Sequence, residues 1–418
     1  MNLAVNGERL LQRLEELAEI GAIVGADGDR GSARLALTAE DGQGRDLVVK
    51  WMRDLGLDIS IDGVGNVIAT MPHPSGLSPV MTGSHIDTVA TGGRFDGNLG
   101  VLAGLEVIES VMSAGVELGR PLAVGFFTDE EGARFPPDML GSLVYAGGMT
   151  VEEALDIRAV DGARFGDELE SIGYAGGAPS PGPAPHAFVE LHIEQGPVLE
   201  VEDIQIGAVT GVQGISWTKV TLRGQSNHAG TTPMAMRKDP AAALFTIGAE
   251  LQRIVERIGE PQVGTIGRVE LVPNLVNVVP ASATFTVDVR HTDDETLINV
   301  EREVAALIEE VAAQHGLLVE TESLARFAPV VFDDRVVEIV ERSALQRELS
   351  VKRMPSGAGH DAQMLARVCP SAMVFTPSVR GISHNPAEIT ADEDLIAGCQ
   401  VLCDVMLELA ATTFEEAK

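Results

Sequence analysis

Residues 80–112 read VMTGSHIDTVATGGRFDGNLGVLAGLEVIESVM, and three kinds of segment follow one another within them. VMTGS is a short apolar run bounded by turn residues. The next stretch is polar and rich in glycine, and it carries His85, Asp87 and Asp96. GVLAGLEVIESVM then places apolar residues at helical spacing. A strand, a loop with ionisable side chains and a helix make the repeating unit of an α/β domain. The alternation continues outward through LAVGFF from 122 and AFVELHI from 187, to about Val209. This predicts a largely parallel sheet, whose ligands gather at the carboxyl ends of the strands. His85, Glu130 and His192 each fall at the end of one of these runs or just after it.

Beyond TGVQG the pattern changes. ISWTKVTLRG, a helix from Asp239 to about Arg257, TIGRVELV, ATFTVDVR, a helix from Asp293 to His315 and LLVETESL give strand and helix twice over, the sign of a small antiparallel α+β unit close to a ferredoxin-like split motif. From Phe327 onward the first pattern resumes, with AMVF at 372 and a long helix from Ala391. The expected architecture is α/β and two-domain. A discontinuous catalytic domain, 1–211 plus 327–418, surrounds an inserted domain, 212–326. The glycine- and proline-rich stretch GYAGGAPSPGPAPH, 173–186, leads straight back into a strand and reads as a surface loop.

A chain of 418 residues exceeds what a single core usually supports, and 45% hydrophobic residues suffice for two. Lys and Arg total 30 against 62 Asp and Glu, a formal charge of -32, which argues against a nucleic-acid or anionic-membrane partner. An anionic small molecule would have to be held by a local arginine. The first 22 residues have the charges of an amphipathic helix rather than a secretory leader, and no apolar run reaches membrane-spanning length. Cys369, Cys399 and Cys403 are too few for a disulfide framework, so a cytoplasmic setting is expected. The helical pair Cys399 and Cys403 reads as core packing.

Taken singly, the polar residues have ordinary explanations. His85-x-Asp87 is a common loop pair, Asp96 in GGRFDG suits a helix N-cap, and Glu130 and Glu131 in FFTDEEGARF suit a solvated acidic turn. Their combination points elsewhere. In an extended strand end, residues two apart face the same way, so Asp87 is placed to orient His85 as a metal ligand. Neighbouring glutamates diverge, which divides their labour: Glu131 toward a cation, Glu130 toward a water. His192 in ELHIEQG ends an apolar run and needs a partner, and His384 in GISHNPAE follows the AMVF run. If Asp96 bridges, these side chains make two metal positions of three protein ligands each. Zinc, manganese, cobalt and nickel all suit such donors.

GSHIDTV, GGRFDG, FTDEEGARF, ELHIEQGPVLE, SNHAGTTPM, NVVPASATFTVDVRH, SGAGHDAQ and GISHNPAE occur in this order between about residues 83 and 388. With them the chain resembles the hydantoinase/carbamoylase group of the M20 metallopeptidase-like family, which includes N-carbamoyl-L-amino acid hydrolases and allantoate amidohydrolases. The resemblance implies a zinc-peptidase-like catalytic domain with an inserted lid that also forms a homodimer interface, and two divalent ions per subunit. It implies His85 and His192 on one metal, Glu131 and His384 on the other, Asp96 between them and Glu130 as general base. His228 would stabilise an oxyanion, often in the partner's site. Asn277 and Arg290 would clamp a substrate carboxylate, Gln195 would contact a ureido group, and Gly359 and His360 would line the pocket. The implied reaction is cleavage of the ureido C–N bond of an N-carbamoyl-L-amino acid, with allantoate as the alternative substrate. An aminoacylase or peptidase is disfavoured by His192, where a carboxylate ligand would be expected.

Overall fold

The computed structural model describes residues 3–159 and 161–413, so the outermost residues of the expected first domain, 1–2 and 414–418, lie outside it. The chain forms two compact units, Met1–Gly211 with Val331–Lys418, and Val212–Val330. In chain order the strands of four or more residues that build the two sheets are β1 (Asp58–Ile61), β2 (Val67–Thr70), β3 (Val80–His85), β4 (Leu122–Phe127), β5 (Ala187–Ile193), β6 (Ile206–Val212), β7 (Gly214–Arg223), β8 (Val263–Val272), β9 (Ser282–His291), β10 (Leu318–Phe327), β11 (Val351–Ser356) and β12 (Ser371–Thr376).

In the first unit the strands run β6-β12-β5-β3-β4-β2-β1, and β11 also pairs with β6. The centre, β12-β5-β3-β4, is parallel. Both margins are antiparallel, β6 on β12 at one side and β2 on β4 with β1 on β2 at the other. The sheet is thus mixed, and the expectation of a mostly parallel one holds for its centre alone. Every residue of β3, β4, β5 and β12 is buried, as strands covered on both faces require. The helix Asn98–Ala114 packs on β3 and against the helices Gly7–Ala18 and Asp392–Ala411. Its burial on nearly all sides explains the continuous apolar run GVLAGLEVI. Cys369, Cys399 and Cys403 are free thiols buried in this core.

The second unit is a four-stranded antiparallel sheet in the order β8-β9-β7-β10. With one helix after β7 and another after β9, this is the strand order of the split β-α-β-β-α-β motif. Burial alternates strictly along β9: Ala283, Phe285, Val287 and Val289 face the two helices while their neighbours face away. The helix Pro240–Ile258 starts where Asp239 accepts hydrogen bonds from the amides of Ala241 and Ala242, with proline in its first turn. Asp293 caps Asp294–Gln314 in the same way. Phe327 is the last residue of β10 and pairs with Ile215, so it belongs to this unit and not to the returning segment.

Candidate metal centre

Four strand ends and the loops after them bring the donors of the first unit together. His85 is the last residue of β3 and His192 lies one residue before the end of β5, two strands that are parallel neighbours. Glu130 and Glu131 follow β4, Asp96 lies in the loop after β3, and His384 lies in the loop after β12. Asp96 stands between two sets of side chains. Its Oδ1 is 3.6 Å from His85 Nε2 and 3.2 Å from His192 Nε2, whereas its Oδ2 is 3.5 Å from His384 Nε2. Glu131 Oε2 lies 3.2 Å from the same His384 nitrogen. One carboxylate therefore faces a histidine pair with one oxygen and a histidine with the other.

Main-chain carbonyls fix the imidazoles. Nδ1 of His85 is 2.9 Å from the carbonyl oxygen of Asp87, and Nδ1 of His192 is 2.9 Å from that of Ile193. A carbonyl only accepts, so each Nδ1 donates its proton there, which orients the ring and leaves Nε2 as the atom nearest Asp96. The Asp87 carboxylate does not hold His85, contrary to expectation. It accepts instead from the amides of Asp129, Glu130 and Glu131, because the turn after β4 points its N–H groups at that carboxylate. Asp87 thus sets two segments at once, His85 by its carbonyl and the Glu130–Glu131 turn by its side chain. Gly97 has φ near 66°, and a Cβ there would lie 2.4 Å from the His85 ring, so only glycine lets the loop close over this histidine.

The site is strongly negative. Burial raises the Asp96 carboxyl, yet hydrogen bonds to His192, His384 and His85 outweigh it and hold Asp96 well below the usual carboxylate range. Its hydrogen bond to His384, with that of Glu131, raises this imidazole to about 10. Glu130 behaves differently: burial, reinforced by Asp361, Glu131 and Asp96 and opposed by His85, raises it well above the ordinary value. A carboxylate shifted in this direction is a better proton acceptor near neutrality. Its Oε2 lies 3.4 Å from His85 Nε2, next to the histidine pair.

The donors fit divalent cations. His85, Asp96 and His192 offer ligand atoms within 4.8 Å of one another, and so do Asp96, Glu131 and His384. Glu131 Oε1 is buried and has no hydrogen-bond partner among the described residues, a state that calls for an explanation and that a cation supplies. Gln195 donates from Nε2 to Asp96 Oδ2 at 2.8 Å, so it reaches the centre. His360 is buried behind His192, with ring centroids 4.6 Å apart, and Gly359 packs on Met139. Glu190, His192 and His360 also cluster, but Glu190 is already engaged by the Ser84 hydroxyl and the Ala362 amide. Two residues escaped the sequence reading. Glu388 accepts from the amides of Phe95 and Asp96, and Ser383 donates to Asp96 Oδ2. Both lie within GISHNPAE, and the signal was the acid that closes that motif.

The remaining expected residues lie in the second unit. His228 and Asn277 flank a short two-strand ladder in which His228 pairs with Val278 and Ala229 N–H donates to Asn277 O at 3.0 Å. That ladder lies beyond the Ser282 end of β9, whereas Arg290 is eight residues along the strand, about 27 Å at roughly 3.4 Å per residue. Asn277 and Arg290 therefore do not form a clamp within one copy of this unit, because an extended strand separates them. Arg290 is bound to Asp288, with Nη2 to Oδ2 at 2.9 Å, and lies over the Trp217 ring.

Residues 81–408 match the model of the peptidase family M20/M25/M40. The chain belongs to that family, and it is a hydrolase acting on C–N amide bonds. Among its relatives is an N-carbamoyl-L-amino-acid amidohydrolase of Rhizobium meliloti, 40% identical, with 98% of each chain covered. An allantoate amidohydrolase of Bacillus subtilis is 36% identical, over 92% of this chain and 94% of that one. A solved structure, an amidase of the hydantoinase/carbamoylase family from Burkholderia multivorans, superposes with a TM-score of 0.94 at 42% identity, covering 99% of this chain and 100% of that one.

Proposed function

We propose that the protein hydrolyses the ureido C–N bond of N-carbamoyl-L-amino acids, giving the amino acid, carbon dioxide and ammonia, with two divalent ions per subunit. The observation that carries this reading is Asp96 with an oxygen toward each of two donor sets, and Glu130 beside them. His85, Asp96 and His192 would hold one ion, and Asp96, Glu131 and His384 the other. Bound there, such ions supply Lewis acidity, polarising a carbonyl and making water acidic. The side chains do the rest. Glu130 takes a proton from the attacking water and delivers it to the nitrogen that leaves, and the carbamate released breaks down to carbon dioxide and ammonia. Gln195 orients the ureido group, and Gly359 and His360 shape the wall behind His192.

In this reading the inserted unit serves as lid and dimerisation domain. Arg290 lies near the end of β9, where it pairs with Ile215, and its planar fork suits a substrate carboxylate. His228 and Asn277 lie at the far end of the sheet and reach the site of the second copy, where His228 donates to the developing oxyanion. The relatives named as allantoate amidohydrolases, at 36% identity, favour a second substrate, since a carboxylate and a ureido group occur in both. Ammonia release from a panel of N-carbamoyl-L-amino acids and from allantoate tests the choice. Turnover of the first alone is the expected result; turnover of allantoate alone would replace it.

A further inference from the structure

Arg34 lies in GSARLALT, ahead of residues 81–408 that match the family. Its side chain is fully buried. The guanidinium donates to five acceptors: Nε to the carbonyl of Ile86 at 2.7 Å, Nη1 to the carbonyls of Leu17 at 3.1 Å and Ile20 at 2.7 Å and to Ser32 Oγ at 3.2 Å, and Nη2 to Asn98 Oδ1 at 2.8 Å. None of these acceptors is a carboxylate. Burial depresses the group to about 10, so it is still charged near neutrality, with Asp41 and Asp87 as the negative charges that favour it. A buried cation without a bonded anion is costly and needs a reason to persist.

The acceptors supply that reason. Ile86 lies between His85 and Asp87, so the Arg34 Nε bond fixes the peptide that aims the His85 ring and the Asp87 carboxylate. Asn98 follows Asp96 and Gly97, and its own Nδ2 donates to the carbonyl of Arg94 at 3.2 Å, which closes the loop around Asp96. The main chain repeats the attachment: Arg34 N–H donates to Thr88 Oγ1 at 2.7 Å, and Thr88 N–H to the carbonyl of Arg34 at 2.9 Å. One planar group therefore spans the two segments that carry His85 and Asp96.

We propose that Arg34 is a positioning residue: it sets the separation of the His85 and Asp96 segments and thereby the affinity of the centre for divalent cations. This rests on the reading of those side chains as cation donors. The test uses the full-length protein stripped by a chelator and titrated with Zn2+ alone against a chromophoric competitor, with the thermal midpoint of the stripped protein measured in parallel. Arg34→Met and Arg34→Lys are expected to bind Zn2+ roughly 10- to 100-fold more weakly, the usual scale for groups that orient metal ligands. Lysine keeps the charge but lacks the fork that reaches Ile86 and Asn98 together, so it carries the test if the methionine variant does not fold. Glu106→Gln is the control for a purely structural loss, because buried Glu106 accepts from the Asn6 amide and from Arg9 at the far side of the helix Asn98–Ala114. It is expected to lower the midpoint and leave the affinity unchanged. Wild-type affinity in an Arg34 variant with a lowered midpoint would overturn the proposal and leave the metal centre standing. A wild-type protein that binds no Zn2+ would overturn both.

Discussion

Glu130 and Glu131 show how two adjacent residues of the same type acquire different chemistry. The Asp87 carboxylate accepts the amides of both, which fixes the turn, and their side chains then diverge. Glu131 comes within 3.2 Å of His384, whereas Glu130 stands by His85 with its proton affinity raised by burial. Replacing Glu130 by Gln preserves shape and removes the base. Turnover is expected to fall at least a hundredfold, the lower end of what general acid–base catalysis contributes, while metal content measured by atomic emission stays at the wild-type level. Near-normal turnover in this variant would remove Glu130 from the mechanism. Asp96→Ala is expected to do the opposite, losing bound metal and activity together, because both donor sets share that side chain. At this scale the sequence marked six residues that the structure brings together, His85, Asp96, Glu130, Glu131, His192 and His384, since each lies at a strand end or in the loop that follows one. It did not reveal which atom does what. The bond from His85 to the carbonyl of Asp87 rather than to its carboxylate depends on where the next turn directs its amides, and no spacing rule encodes that.

Among the elements, the strands β3, β4, β5 and β12 were legible because each is a short, mostly apolar run between turn residues, and each is buried throughout. The margins were not. Asp58–Ile61 alternates between exposed and half-buried residues, and its antiparallel pairing with β2 comes from contacts distant in the chain. Helices with capping residues were legible to within a residue or two, as Asp239 and Asp293 illustrate. Asp333 does the same for Asp334–Gln346, accepting from the Arg335 amide at 3.0 Å, and the hydrogen bond from the Arg335 side chain, against partial burial, lowers its carboxyl below the usual value. A carboxyl depressed by folding contributes stability above its unfolded pKa, near 3.9, and loses that contribution as the pH falls through the folded value. Asp333→Ala is expected to cost about 1 kcal/mol in urea denaturation at pH 7, the ordinary worth of an N-cap, and less toward pH 3. An unchanged difference at the two pH values would show that the charge is not what stabilises this helix end.

For the whole molecule, the alternation of patterns marked an inserted segment, and β9 gives its length a meaning. A strand that separates Arg290 from Ser282 by about 27 Å keeps Arg290 and the His228 ladder from serving one small substrate within a single copy. Mixing variants tests whether two copies share the work. Co-expressed His228→Ala and Glu130→Gln chains, each inactive alone, are expected to form a mixed dimer with one working site, which has Glu130 from one chain and His228 from the other. An assay on the purified mixed dimer should then recover up to about half the wild-type turnover per dimer. No recovery would mean that His228 serves its own subunit or neither.

The claim on which all of this depends is that Asp96 joins two cation sites. Crystals grown with Zn2+ and measured at the zinc absorption edge test it directly. Two anomalous peaks are expected on either side of the Asp96 carboxylate, one bounded by His85 and His192 and the other by Glu131 and His384, with ligand distances of about 2.0–2.2 Å. The absence of any peak beside Asp96, at full Zn2+ occupancy elsewhere, would contradict it.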